Sequence, residues 1–252
     1  MAIVDLNCDL GEGFGVWEFG DDAALLDIVT SANIACGFHA GDPQIMIATC
    51  AWAAERGVSV GAHVSYHDLR GFGRRPLPVS QEELFADVVY QLGALSAAAK
   101  TAGTRVRYVK PHGALYNVAV RDADLAVAIA AACKAVDPSL AVLALPGSEL
   151  LRAASDHGLT PVVETYADRA FQPDGTLVPR SQAGSVLHDP VEIAERVVRI
   201  VTEGRVTAID GTEIEVDARS VCVHGDTPGA VEIATRVRAE LVAAGVELKA
   251  FV

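Results

Sequence analysis

The sequence predicts an α/β architecture built on parallel strands. Short β-branched or apolar runs alternate with longer Ala-rich amphipathic stretches from one end to the other, the pattern of repeated βα units. With 252 residues, 51% of them hydrophobic and 21% charged, the chain can bury a large core and is not dominated by disorder. Unusual polar residues gather directly after the strand-like runs, where the active sites of parallel α/β folds form. The length suits one domain over residues 1–252, a size ordinary for an α/β barrel.

Each element has its own warrant. Residues 2–8 form the first apolar run, and helical periodicity follows at 21–30. A second run, 31–36, leads to a helix at 43–56, signed by Asp42 as N-cap, Pro43 at the first position and Gly57 beyond the end. Residues 58–62 precede a helix at 81–102, which starts in a capping box of Ser80 and Glu83 and stops before Gly103. Runs at 105–109, 140–144, 161–166 and 219–223 alternate with helices at 121–135, 148–157, 190–203 and 228–244; Gly158 and Gly245 follow two of these. Residues 205–217, with Asp210-Gly211 between two short β-prone runs, predict a hairpin decorating the main sheet. Seven βα units fit a closed barrel or an open doubly wound sheet equally well.

Composition removes several function classes. Lys and Arg total 20 against 33 for Asp and Glu, a net charge of −13, which repels a nucleic-acid backbone. No stretch has the length of a membrane span, and Met-Ala-Ile-Val-Asp lacks the marks of a signal peptide, so a cytoplasmic location is expected. Cys8, Cys36, Cys50, Cys133 and Cys222 are odd in number, scattered and never paired as C-x-x-C. They fit neither a disulfide framework nor a zinc ribbon, and packing is their expected role.

The candidate site is assembled from post-strand segments: Asp9 and Glu12; His39 and Asp42; His63, His67 and Asp68; Lys110 and His112; Asp168 and Arg169; His224 and Asp226. His157 beside Gly158 reads as a helix-dipole partner and His188 as a loop residue. The i, i+4 spacing of His63 and His67 allows a two-histidine site completed by Asp9. A metal-free reading gives His63 and His112 acid/base or oxyanion-stabilising roles instead. Gly11, Gly13 and Gly15 suggest a phosphate loop, yet Glu12 and Asp9 would repel a phosphate, so they are read as a tight bend. No Walker-type loop or G-x-S-x-G elbow is present, and cations for an anionic ligand must come from Lys110, Arg169, Arg74, Arg75 or Arg180.

Eight segments together resemble the LamB/YcsF family: Asp5-Leu-Asn-Cys-Asp-Leu-Gly-Glu-Gly, residues 31–42 (Ser-Ala-Asn-Ile-Ala-Cys-Gly-Phe-His-Ala-Gly-Asp), Gly61-Ala-His, Gly71-Phe-Gly-Arg, residues 109–117 (Val-Lys-Pro-His-Gly-Ala-Leu-Tyr-Asn), Ala167-Asp-Arg, Leu177-Val-Pro-Arg-Ser and Val223-His-Gly-Asp. The resemblance implies an irregular seven-stranded (β/α) barrel like that of the glycoside hydrolase and polysaccharide deacetylase superfamily. It implies ATP-dependent opening of 5-oxo-L-proline to L-glutamate with separate B and C subunits. ATP is then a co-substrate accompanied by Mg²⁺, with no tightly bound organic cofactor, and a homo-oligomer stays open. Family members commonly carry proline where this chain has Val64 and His67, so the His63/His67 pair is not a family feature.

On this reading Asp9 or Glu12 is the general base, and His63 and His112 stabilise the oxyanion or donate a proton. Lys110 and Arg169 hold a carboxylate or phosphate, while His39, Asp42, Asp168, His224 and Asp226 contact or orient the substrate. Two rivals are a metal-dependent carbohydrate deacetylase-like hydrolase and a non-catalytic substrate-binding subunit.

Overall fold

In the computed structural model, which describes residues 2–252, the elements run β1 (Ile3–Leu10), α1 (Asp22–Leu26), β2 (Ser31–Ala35), α2 (Pro43–Glu55), β3 (Ser59–His63), α3 (Gln81–Thr101), β4 (Val106–Val109), α4 (Gly113–Ala119), α5 (Ala123–Val136) and β5 (Ala141–Ala144). They continue with α6 (Glu149–Asp156), β6 (Thr160–Tyr166), α7 (Pro190–Glu203), β7 (Arg205–Thr207), β8 (Glu213–Glu215), β9 (Ser220–Val223), α8 (Ala230–Ala243) and β10 (Glu247–Leu248). Strands β1 to β6 pair in parallel in sequence order, β9 joins β6, and β9 returns to β1. Seven strands therefore close into a barrel, the irregular (β/α) form that the resemblance implies.

The expected caps hold the helices. Asp42 accepts the Gln44 and Ile45 amides at the start of α2, and Ser80 and Glu83 form a reciprocal capping box at α3. Leu84, Val88, Leu92 and Leu95 make one buried stripe on α3, and Ile193, Val197 and Ile200 make another on α7. Full burial of each such side chain is worth roughly 1.5–3 kcal/mol. The predicted hairpin is the antiparallel pair β7–β8.

Four features differ from the sequence reading. Helix α1 stops at Leu26, and the Thr30 hydroxyl sits between the Asp5 carboxylate and the Leu6 carbonyl, 2.6 and 3.1 Å away. Strand β1 runs to Leu10, which puts Asp9 within the strand. Helix α4 begins at a glycine with no side-chain cap, and β10 has two residues, so neither carries a local signal.

The barrel interior is polar, an arrangement set by alternation along β1. Val4, Leu6, Cys8 and Leu10 join the apolar core, whereas Asp5, Asn7 and Asp9 reach across the barrel. Asn7 lies opposite Ser31 on β2 and Cys222 on β9. Its amide donates to Ser220 at 2.7 Å, and Asn33 donates to Asn7 and Asp9 at 2.7 and 2.8 Å. The Tyr108 hydroxyl reaches Asn33 at 2.7 Å. Gly61 makes room for that tyrosine, since a Cβ there would lie 2.2 Å from its ring.

Candidate active site

A cleft of about 690 Å³ opens over the carboxyl ends of the strands. Asp9, His63, Lys110, His112, Tyr166, Arg169 and His224 are among its lining residues. Three clusters meet there.

The first is the buried cation Lys110 at the end of β4. Its Nζ lies 3.1 Å from Asp9 Oδ1, 3.3 Å from Asn7 Oδ1, 3.3 Å from Glu164 Oε2 and 3.0 Å from Cys222 Sγ. Burial works against its charge, but Asp9, Cys222 and Glu164 hold its pKa well above the usual lysine value. Burial likewise pushes Asp9 upward; His63 and Lys110 override it and hold the carboxyl well below the ordinary range. Asp9 is thus an anion fixed by Lys110 and by the Asn33 amide.

The second cluster is Glu12, His39, His63 and His112, each at most 4% exposed. His63 Nε2 and His112 Nδ1 are 3.0 Å apart, and Glu12 Oε1 is 3.1 Å from His39 Nε2 and 3.3 Å from His112 Nδ1. The His39 and His112 rings stack with centroids 3.8 Å apart. Burial, with Asp9 nearby, raises the Glu12 pKa well above the usual value; burial, with the neighbouring imidazoles, lowers those of His39 and His112. The loop after β3 closes over this group. Phe72 adopts a left-handed φ of 52°, sets its ring edge-on to His39 and His112, and offers its carbonyl to His112 Nε2 at 2.9 Å. Gly73 follows at φ 62°, where a Cβ would lie 2.7 Å from the His112 ring.

The third cluster is a carboxylate–imidazole dyad. His224 Nδ1 lies 2.7 Å from Asp168 Oδ1, and the Thr227 hydroxyl donates to Asp168 Oδ2 at 3.1 Å. His224 stacks on Tyr166, whose ring also faces Lys110 Nζ at 5.1 Å. Burial opposes the Asp168 charge, but His224 and Thr227 keep its pKa below the usual value.

The structure brings Asp9, His63, Lys110, His112, Arg169 and His224 to one cleft, with Asp168 behind His224. Glu12 and His39 stand behind His63 and His112 rather than in the lining. Asp42 caps α2, accepts the Gly15 amide and lies outside the cleft lining. His67 is exposed and stacks on Phe38, so it does not join His63 and Asp9. Asp226 pairs with Arg74 at the mouth, in a shallower groove beside the cleft. Arg169 lines the cleft, but its guanidinium also donates to the Ser185 and Val178 carbonyls. All five cysteines are free and buried, yet Cys222 does more than pack, because it accepts a hydrogen bond from Lys110. Asn7, Asn33, Phe72, Glu164, Tyr166 and Cys222 join the site without having been marked by sequence reasoning. The alternation of Asp, Asn and Asp with apolar residues along β1 is the available signal for the first of them.

The LamB/YcsF family profile matches residues 4–252. This chain belongs to the LamB/YcsF family. It is 62% identical over 251 residues to a Mycolicibacterium gilvum protein named as the A subunit of 5-oxoprolinase, with both chains fully covered. A protein of the same name from Paracidovorax citrulli is 57% identical, covering 98% of this chain and 99% of that one. The crystal structure of a lactam utilization protein from Thermus thermophilus superposes with a TM-score of 0.94 at 48% identity, over 99% of this chain and 100% of that one. A family 4 carbohydrate esterase from Streptomyces lividans shares the fold, with a TM-score of 0.51 at 13% identity, over 100% of this chain and 93% of that one. Among the described residues no helix is long and apolar enough to cross a membrane.

Proposed function

We propose that this chain is the A subunit of an ATP-dependent 5-oxoprolinase, a cytoplasmic assembly with B and C subunits that opens the lactam of 5-oxo-L-proline to L-glutamate. The observation that carries the reading is the full-length similarity to relatives named as 5-oxoprolinase A subunits, joined to a cleft that sets acid/base groups beside buried cations. The Streptomyces esterase supports the fold and not the substrate.

A lactam carbonyl is a weak electrophile, and ATP supplies the driving force. Transfer of the terminal phosphoryl group of Mg²⁺-bound ATP to the lactam oxygen forms an O–P bond and releases ADP. Water then adds to the ring carbon, and the C–N bond breaks as nitrogen takes a proton. A second water releases phosphate from the resulting acyl phosphate, leaving glutamate. The cleft's residues have matching tasks. His224, its Nδ1 tied to Asp168, leaves Nε2 to accept a proton from water and return it to nitrogen. Arg169 binds the substrate carboxylate or the transferred phosphoryl group. Asp9, held by Lys110 and Asn33, orients the attacking water, and His63 and His112 form the adjoining wall of the cleft.

The test uses Asp9→Asn and His224→Ala in the reconstituted assembly. Each should keep the parent's circular dichroism spectrum at the assay temperature, Asp9→Asn with a lowered unfolding midpoint because it leaves Lys110 with one carboxylate fewer, while kcat for glutamate formation falls about 10²- to 10⁴-fold. Turnover within a few-fold of the parent in both would overturn the assignment of the site.

A further inference from the structure

We infer that Glu12, His39, His63 and His112 form a binding site for one divalent cation of the zinc class, at the wall of the cleft. Two independent features point to it, and neither depends on what the cleft hydrolyses.

The first is convergence. Glu12 Oε1, His39 Nε2, His63 Nε2 and His112 Nδ1 come from four segments, the turn after β1, the turn after β2, the end of β3 and the start of α4. One donor atom from each lies within 4.8 Å of all the others. Four of the six separations are 3.1 Å for Glu12–His39, 3.3 Å for Glu12–His112, 3.9 Å for Glu12–His63 and 3.0 Å for His63–His112. A tetrahedral ion with bonds of about 2.1 Å separates its ligand atoms by about 3.4 Å. The observed distances bracket that value.

The second is the proton count of the rings. His63 Nδ1 faces the Lys110 carbonyl at 2.9 Å, and His112 Nε2 faces the Phe72 carbonyl at 2.9 Å. A carbonyl only accepts, so each of these nitrogens carries its ring's hydrogen. In the neutral rings, the other nitrogens, His63 Nε2 and His112 Nδ1, are then both bare lone pairs, and they point at one another across 3.0 Å. Two acceptors at that distance, with a glutamate oxygen beside them, call for positive charge between them, which a metal ion or a shared proton supplies. A backbone carbonyl on the far nitrogen is also the outer contact that orients metal-binding imidazoles. His39 is the least constrained member, because its buried Nδ1 has no hydrogen-bond partner.

The donor set selects the ion. Three imidazoles and one carboxylate suit Zn²⁺ and its neighbours, whereas Mg²⁺ requires an oxygen-rich octahedral shell. His63 and His112 line the cleft and Asp9 Oδ2 is 3.4 Å from His63 Nε2, so a cation held here would polarise a carbonyl or phosphoryl oxygen entering the cleft. This is a different set from Asp9, His63 and His67.

The experiment uses the whole chain, alone, after chelator treatment and without substrate. Titration with Zn²⁺ followed by calorimetry should give one equivalent bound and a raised unfolding midpoint. Co²⁺ should give the visible absorption of a four- or five-coordinate site, and millimolar Mg²⁺ should do neither. His112→Ala and Glu12→Gln should each weaken Zn²⁺ binding at least tenfold, while His67→Ala leaves it unchanged. A folded parent that binds no Zn²⁺, or binding that persists unchanged in both His112→Ala and Glu12→Gln, would overturn the site. In the first outcome, a single proton shared between His63 and His112 and visible by ring-nitrogen NMR would take the ion's place. Because none of these readouts is catalytic, they stay separate from success or failure of the oxoprolinase assay.

Discussion

Replacing Lys110 with methionine removes the positive charge at the centre of a buried polar network while nearly preserving volume. Lys110 is 1% exposed, and its Nζ lies 3.1 Å from Asp9 and 3.3 Å from Glu164. At an effective dielectric of about 20, unit charges at these distances attract by about 5 kcal/mol each. Desolvation of the ammonium cancels much of that, and loss of one partner of a buried ion pair typically destabilises by about 3–5 kcal/mol. For a chain of this size, about 2–4 °C per kcal/mol converts this to a fall of roughly 6–20 °C in unfolding midpoint. Urea denaturation and calorimetry of Lys110→Met, Glu164→Gln and the double variant measure it. The double variant should be less destabilised than the sum of the singles by at least about 1 kcal/mol, since Glu164→Gln removes a carboxylate the first change strands. A loss below about 1 kcal/mol in Lys110→Met, or strict additivity, would refute the network.

Asp5, buried among Thr30, Ser31 and Ser220, has its pKa raised to about 6 by burial. Its stabilising contribution is therefore complete below the unfolded value near 3.8 and is lost as pH rises through 6, a loss of about 2–3 kcal/mol by linkage. Unfolding free energies of the parent minus those of Asp5→Asn should show that fall between about pH 4 and 7.5, and a flat difference would contradict it. Gly61→Ala forces a Cβ to 2.2 Å from the Tyr108 ring and should destabilise by about 1–3 kcal/mol in urea; a change under about 0.5 kcal/mol would show that the tyrosine moves aside without strain.

The barrel's strands and major helices were legible because period-2 and period-3.6 patterns, capping residues and terminal glycines agree along most of the chain. Closure was not, because a closed and an open sheet impose the same local pattern, and only the pairing of β9 with β1 decides it. The cleft was legible through the convergence of post-strand segments, which placed Asp9, His63, Lys110, His112 and His224 together. Residues in mid-strand were hidden: Asn7, Asn33 and Glu164 look like misplaced polar residues until the barrel interior is known to be polar. Asp42, which also caps α2, lies outside the cleft lining. The histidine tautomers needed three dimensions, because they are set by carbonyls 47 and 40 residues away in sequence.

The oxoprolinase reading stands or falls on glutamate and ADP release from 5-oxo-L-proline and ATP, measured with this chain alone and with its B and C partners. Coupled, equimolar release of both products in the full mixture, and none from the chain alone, is the predicted result. No glutamate from a mixture whose assembly has been verified by size-exclusion chromatography would contradict it.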